Sequence, residues 1–167
     1  PVKEFENIKH RLSDMLESDI YHDDVNDGYY NHSIYFDTPE LEHYYLKREG
    51  MNRRVKLRLR AHKPDPYGTP SRIILEFKHR LGHIGTKDKH ILTEAEAFEV
   101  LGSRVLPGLR DSSGPVPSAY YFLVKKSTLR PVVTILYHRA AYHAAIYPGV
   151  RITFDKDIRA SSLTSLS

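Results

Sequence analysis

Residues 53–60 read Arg-Arg-Val-Lys-Leu-Arg-Leu-Arg, five cations in eight positions. On a strand, alternation sends Arg54, Lys56, Arg58 and Arg60 to one face and Val55, Leu57, Leu59 and Ala61 to the other. A half-exposed strand also alternates charged and apolar residues. A solvated face, however, usually mixes signs, and like charges set side by side destabilise a sheet. Residues 71–79 repeat the pattern, with Arg72, Ile74, Glu76 and Lys78 opposite Ile73, Leu75 and Phe77. Residues 83–90 read as another short strand carrying Lys87 and Lys89. If these faces converge, the sheet curls with its cations inside and its apolar face under helices. Such a cavity needs an anion. Phosphate suits it, because each guanidinium offers a planar fork of donors and keeps its charge.

Glu76 lies among these cations. It reads either as a salt-bridge partner of Lys78 or a cross-strand arginine, or as a ligand for Mg²⁺ or Mn²⁺, hard cations that favour carboxylate and phosphate oxygens. His79, His83 and His90 match no zinc-ligand spacing, and His138 and His143 read as packed or surface residues. Of the twelve tyrosines, Tyr29, Tyr30, Tyr44, Tyr45, Tyr120 and Tyr121 could build a stacking platform for nucleic-acid bases. They neighbour apolar residues, so core and rim packing is the better reading. The sequence holds no Walker-type loop, nucleophile elbow or kinase signature.

The elements that must position these residues follow from periodicity. Phe5, Ile8, Leu12, Met15 and Leu16 predict an amphipathic helix over 3–17. Tyr29 to Phe36 reads as a strand, and Thr38-Pro39 as the start of a short helix through Lys47. Thr93 with Glu96 forms a capping-box pattern for a helix ending before Gly102. Residues 103–117 read as loop, Ser118 as the cap of a helix over 119–126, and 131–142 and 150–154 as strands. Strands mixed with short helices predict an α+β fold: a mainly antiparallel β-tunnel or barrel with a basic interior and helices packed outside. The 167 residues fit one domain over 1–160, followed by a polar tail over 161–167. Pro1 and that tail suggest a piece of something longer. The formal charge of +4 argues against a general nucleic-acid binder. No apolar run reaches the ~20 residues of a membrane span. The lack of cysteine excludes disulfides and fits a cytoplasmic protein.

Several stretches resemble the VTC domain, the polyphosphate polymerase module related to the CYTH proteins among the triphosphate tunnel metalloenzymes. They are Ser33-Ile34-Tyr35-Phe36-Asp37-Thr38-Pro39, Lys47 with Glu49-Gly50, Lys56-Leu57-Arg58-Leu59-Arg60, Leu75-Glu76-Phe77-Lys78, Lys87, Pro131-Val132-Val133, Tyr137-His138-Arg139-Ala140-Ala141-Tyr142 and Val150-Arg151-Ile152-Thr153-Phe154-Asp155. They occur in family order over about 29–159. The resemblance implies a tunnel that binds polyphosphate or triphosphate, with Arg58, Arg60, Lys78 and Arg139 as the catalytic phosphate ligands. Lys47, Lys56, Lys87 or Lys89, and Arg151 supply further phosphate contacts, and Glu76 stands at an acidic tunnel position, a ligand for Mn²⁺ or Mg²⁺. The implied activity transfers the terminal phosphate of a nucleoside triphosphate to a polyphosphate chain. Hydrolysis of triphosphate in the same tunnel, or non-catalytic binding, are the alternatives. The family's first strand and its last, which carries a Glu-x-Lys pattern with the main metal-binding glutamate, have no counterpart here. An incomplete tunnel is therefore expected.

Overall fold

The computed structural model describes residues 2–63, 65–70, 72–102, 120, 129–147 and 149–163, with the side chains of 2, 3 and 5 left aside. Helix α1 (Val2–Leu12) leads through a 3₁₀ turn (Ser13–Met15) into β1 (Leu16–Ser18), followed by β2 (Tyr29–Asp37) and α2 (Glu42–Arg48). Then come β3 (Arg53–Lys63), β4 (Arg72–Leu81), β5 (Ile84–Leu92), α3 (Glu94–Leu101), β6 (Arg130–Ala144) and β7 (Arg151–Ser162). The expected loop over 103–117 and helix over 119–126 lie outside the described residues, apart from Tyr120.

All pairings are antiparallel, in the order β7-β6-β2-β3-β4-β5, with β1 beside the far end of β6. The sheet curls into a half-barrel. β5 and β7 are its two edges among the described residues. Its convex side carries the core. Leu57, Leu59, Leu75, Phe77 and Phe36 pack there with Ala97 and Val100 of α3. Thr93 caps α3 as its spacing predicts: its hydroxyl accepts from the Glu96 amide at 3.3 Å, and the Glu96 carboxylate accepts from the Thr93 amide at 2.8 Å.

Three boundaries differ from the sequence reading. The first helix stops at Leu12, because Leu16, Glu17 and Ser18 pair with Ala144, His143 and Tyr142 of β6; tertiary pairing overrides the helical spacing of Met15 and Leu16. α2 starts at Glu42 and not at Thr38. The Asp37 carboxylate takes the amides of Thr38, His43 and Tyr44 at 2.8–2.9 Å, while the Thr38 hydroxyl takes that of Glu42 at 3.1 Å. Ser161 and Ser162, read from the sequence as the start of a polar tail, continue β7 opposite Thr134 and Val133. Backbone pairing needs no apolar side chain, so a polar composition does not end a strand.

Gly28 brings the 23–28 turn onto β6. Its φ is +138°, and a Cβ there would stand 2.3 Å from the Arg139 carbonyl oxygen, so only glycine fits.

Candidate phosphate-binding site

Register places the predicted site residues on one face. Lys56 lies opposite Lys78, which lies opposite Lys87, and Arg58 lies opposite Glu76, which lies opposite Lys89. Arg60 stands beside Ser33 of β2. On β6 and β7, Arg139 pairs with Asp155 and His143 with Arg151. Lys87 and Lys89 both lie on this concave face, as their two-residue spacing requires.

The cations divide by what holds them. Arg58 is buried and binds the buried Glu76 through two of its nitrogens, one at 2.5 Å. It also donates to the Tyr35 hydroxyl at 3.1 Å. Arg139 grips Asp155 with both arms at 2.6 and 2.7 Å and lies 5.1 Å from the Tyr137 ring centre. That clasp raises the Arg139 pKa further. Arg151 donates to Asp19 at 2.8 Å and to the Tyr29 hydroxyl at 3.3 Å, and His143 meets the same Asp19 oxygen at 3.2 Å.

Among the described residues Arg60 has only neutral acceptors. It donates to the Ser33 hydroxyl at 3.5 Å and the Tyr137 hydroxyl at 3.2 Å. Burial and the neighbouring Arg58 lower its pKa. Lys56, Lys78 and Lys87 have no carboxylate within bonding distance among the described residues. Partial burial, then Arg58 and Arg60, pull the Lys78 pKa down to about 8. Lys56 is lowered by burial and by Lys47 and Arg54, and Lys87 by burial and Lys89. A depressed cation is one whose charged form lacks compensation. At one end of the face, Lys47 of α2 joins Lys56, Lys78 and Lys87 around a cavity of about 470 Å³.

Glu76 resolves toward the ion-pair reading. Burial alone would raise its pKa, but Arg58 and Arg60 outweigh it and hold it below the usual carboxylate range. These side chains alone do not assemble a site for a divalent metal. Glu76 is already engaged by Arg58, its surroundings are cationic, and among the described residues no three His, Asp or Glu side chains converge as ligands.

Sequence reasoning missed Arg80, which extends the Glu76–Lys78 alternation by one step and was legible there. It also missed the acceptors Tyr35, Tyr137, Asp155 and Asp19. Register alone reveals these, because they come from strands or turns distant in sequence. The tyrosines expected in core and rim divide: Tyr29 is buried, while Tyr44 and Tyr45 are largely exposed on α2.

A family model described as the VTC domain matches residues 1–165. No curated protein sequence matches the chain. Among solved structures, a candidate adenylate cyclase from Bacillus halodurans superimposes with a TM-score of 0.51 at 18% identity, covering 96% of this chain and 75% of that one. A candidate adenylyl cyclase from Hippeastrum, reported to have a dominant triphosphatase activity, gives 0.50 at 15% identity, covering 89% of this chain and 64% of its own length. At these identities the likeness is one of fold.

Proposed function

Because the chain belongs to the VTC domain family, we propose that its concave face binds linear phosphate chains and transfers the terminal phosphoryl group of a nucleoside triphosphate to polyphosphate. One observation carries this reading. Arg60, Lys56, Lys78 and Lys87 share one face and have no carboxylate partner among the described residues, so their charge is left for a ligand.

In this chemistry the protein positions and neutralises. The bond from the terminal phosphorus to its bridging oxygen breaks, and that oxygen leaves with the nucleoside diphosphate. A terminal oxygen of the polyphosphate forms the new bond. The attacking group is already an oxyanion, so no side chain has to remove a proton. Arg60 and Lys78 would hold the transferring phosphate, Arg58 and Arg139 the chain on either side, with Lys47, Lys56, Lys87, Lys89 and Arg151 as further phosphate contacts. Fixed cations in a partly enclosed site stabilise the charge that shifts between the two bridging oxygens.

Hydrolysis is the second reading, favoured by the triphosphatase activity reported for the Hippeastrum protein of the same fold. Incubation with ATP and Mn²⁺ separates the two. Polymer longer than the primer supports transfer, and free phosphate without polymer supports hydrolysis. Unchanged ATP alongside measurable tripolyphosphate binding leaves a binding module.

A further inference from the structure

Resting on that reading, the geometry points to a polar site: we infer that the cavity at the α2 end of the face selects the free terminal phosphate of a linear chain, while internal phosphates lie over the rest of the face. Among the described residues six cations line this cavity, Lys47, Arg54, Lys56, Lys78, Arg80 and Lys87, and no carboxylate does. Its two arginines are pinned by neutral acceptors. Arg54 donates to the Met51 carbonyl at 3.3 Å and Arg80 to the Gly82 carbonyl at 2.9 Å. A carbonyl fixes a guanidinium without cancelling its charge. Nearby acids are occupied. Glu76 is bound by Arg58 and Asp37 by the amides of α2, while Asp88 lies on the other face of β5 and meets His79 there.

The opposite half of the face is built differently. Arg139 and Arg151 each carry a carboxylate, Asp155 and Asp19. Positive charge therefore rises along the face toward the cavity. The ligand class shows a matching gradient. An internal phosphate in a chain carries one negative charge, and a terminal phosphate approaches two near neutral pH. The most negative group of the ligand then meets the densest group of cations on the face, which sets the direction in which a chain lies.

The test compares two probes of like total charge by calorimetry: linear tripolyphosphate, which has terminal groups, and cyclic tetrametaphosphate, which has none. The full chain should prefer the linear probe by about tenfold or more, the gain of one charge-assisted contact. Lys87→Met with Arg80→Met, both at exposed positions, should lower affinity for the linear probe far more than for the cyclic one, so that the preference is lost. Arg72→Met, at the other end of the face, should leave the preference intact. Equal affinity for both probes in the unaltered protein overturns the polarity and leaves phosphate binding standing. Binding of neither probe overturns both.

Discussion

Arg60 of β3 donates to the hydroxyl of Tyr137 on β6 at 3.2 Å, across the intervening strand β2. The contact joins residues 77 positions apart and fixes a half-buried guanidinium with a neutral group. The hydroxyl removes rotational freedom and leaves the charge whole. Tyr35 does the same for Arg58, and Tyr29 for Arg151. Tyr137→Phe keeps the ring under Arg139 and deletes only this acceptor. Tripolyphosphate affinity should fall about three- to tenfold, the value of one ordinary hydrogen bond in pre-organisation. Thermal unfolding should change little. Calorimetry and a melting curve on one preparation check both, and an unchanged affinity would remove Tyr137 from the site.

Glu76 and Arg58 should behave as one unit. Their side chains are 2% and 6% exposed, so deleting either charge strands the other. Glu76→Gln should cost about 3 kcal/mol of stability, as for other broken buried pairs. Tripolyphosphate should restore part of that loss by supplying the missing negative charge. A melting temperature that is unaltered, or that does not respond to the ligand, contradicts the pairing. Mn²⁺ alone should not stabilise the unaltered protein, because the cations around Glu76 repel it.

Lys78 predicts a pH dependence. Its folded pKa is about 8, below the 10.5 of a free lysine. Between these values the unfolded chain holds a proton that the folded one lacks, so this residue's contribution to stability improves as pH rises from about 8 toward 10.5. Binding runs the other way. Phosphate favours the charged amine, so affinity should fall as pH passes through 8. Binding near pH 8.5 should then take up a proton, seen as a binding enthalpy that changes with the buffer. Lys78→Met should abolish that uptake.

Much of this site was legible because β3 and β4 alternate cleanly, and alternation is the one signal that fixes which side chains share a face. The capping box at Thr93 was legible for the same reason: its partners lie three residues apart. What could not be read depends on register. Whether Asp155 cancels Arg139, or Asp19 reaches Arg151, follows from how β6, β7 and the turn after β1 align, and no local pattern states that. The early end of α1 was hidden likewise. Met15 and Leu16 keep helical spacing, yet the open edge of β6 captures the chain at Leu16.

Asp155 supplies a prediction of unusual sign. It holds both arms of Arg139 on the concave face. Asp155→Asn removes a negative charge from a surface meant for anions and frees Arg139 to meet a phosphate. Affinity for a long polyphosphate should rise a few-fold, about what one partly exposed charge contributes at moderate salt. A fall in affinity would show that Asp155 is needed to aim Arg139.

Arg60 gives phosphate binding its sharpest test. Arg58 and Arg60 are two residues apart on one strand, so their side chains rise from the same face about 6–7 Å apart, a span that neighbouring phosphates can bridge. Arg58 is balanced by Glu76, whereas Arg60 has no acid partner among the described residues. Deleting Arg60 therefore removes a charge reserved for ligand and leaves no buried carboxylate behind. Arg60→Ala should weaken polyphosphate binding by about ten- to a hundredfold, the loss of one charge-assisted contact. Stability should hold or rise, because repulsion with Arg58 and Lys78 is relieved. Arg60→Lys should lose part of the affinity although the charge remains, since an ammonium cannot make the two-pronged contact. Arg58→Ala should separate from both, with a lowered melting temperature, because Glu76 is then buried without its partner. If Arg60→Ala instead lowers the melting temperature and leaves polyphosphate affinity unchanged, the guanidinium is a strut between Ser33 and Tyr137, and the concave face has to be read as scaffold.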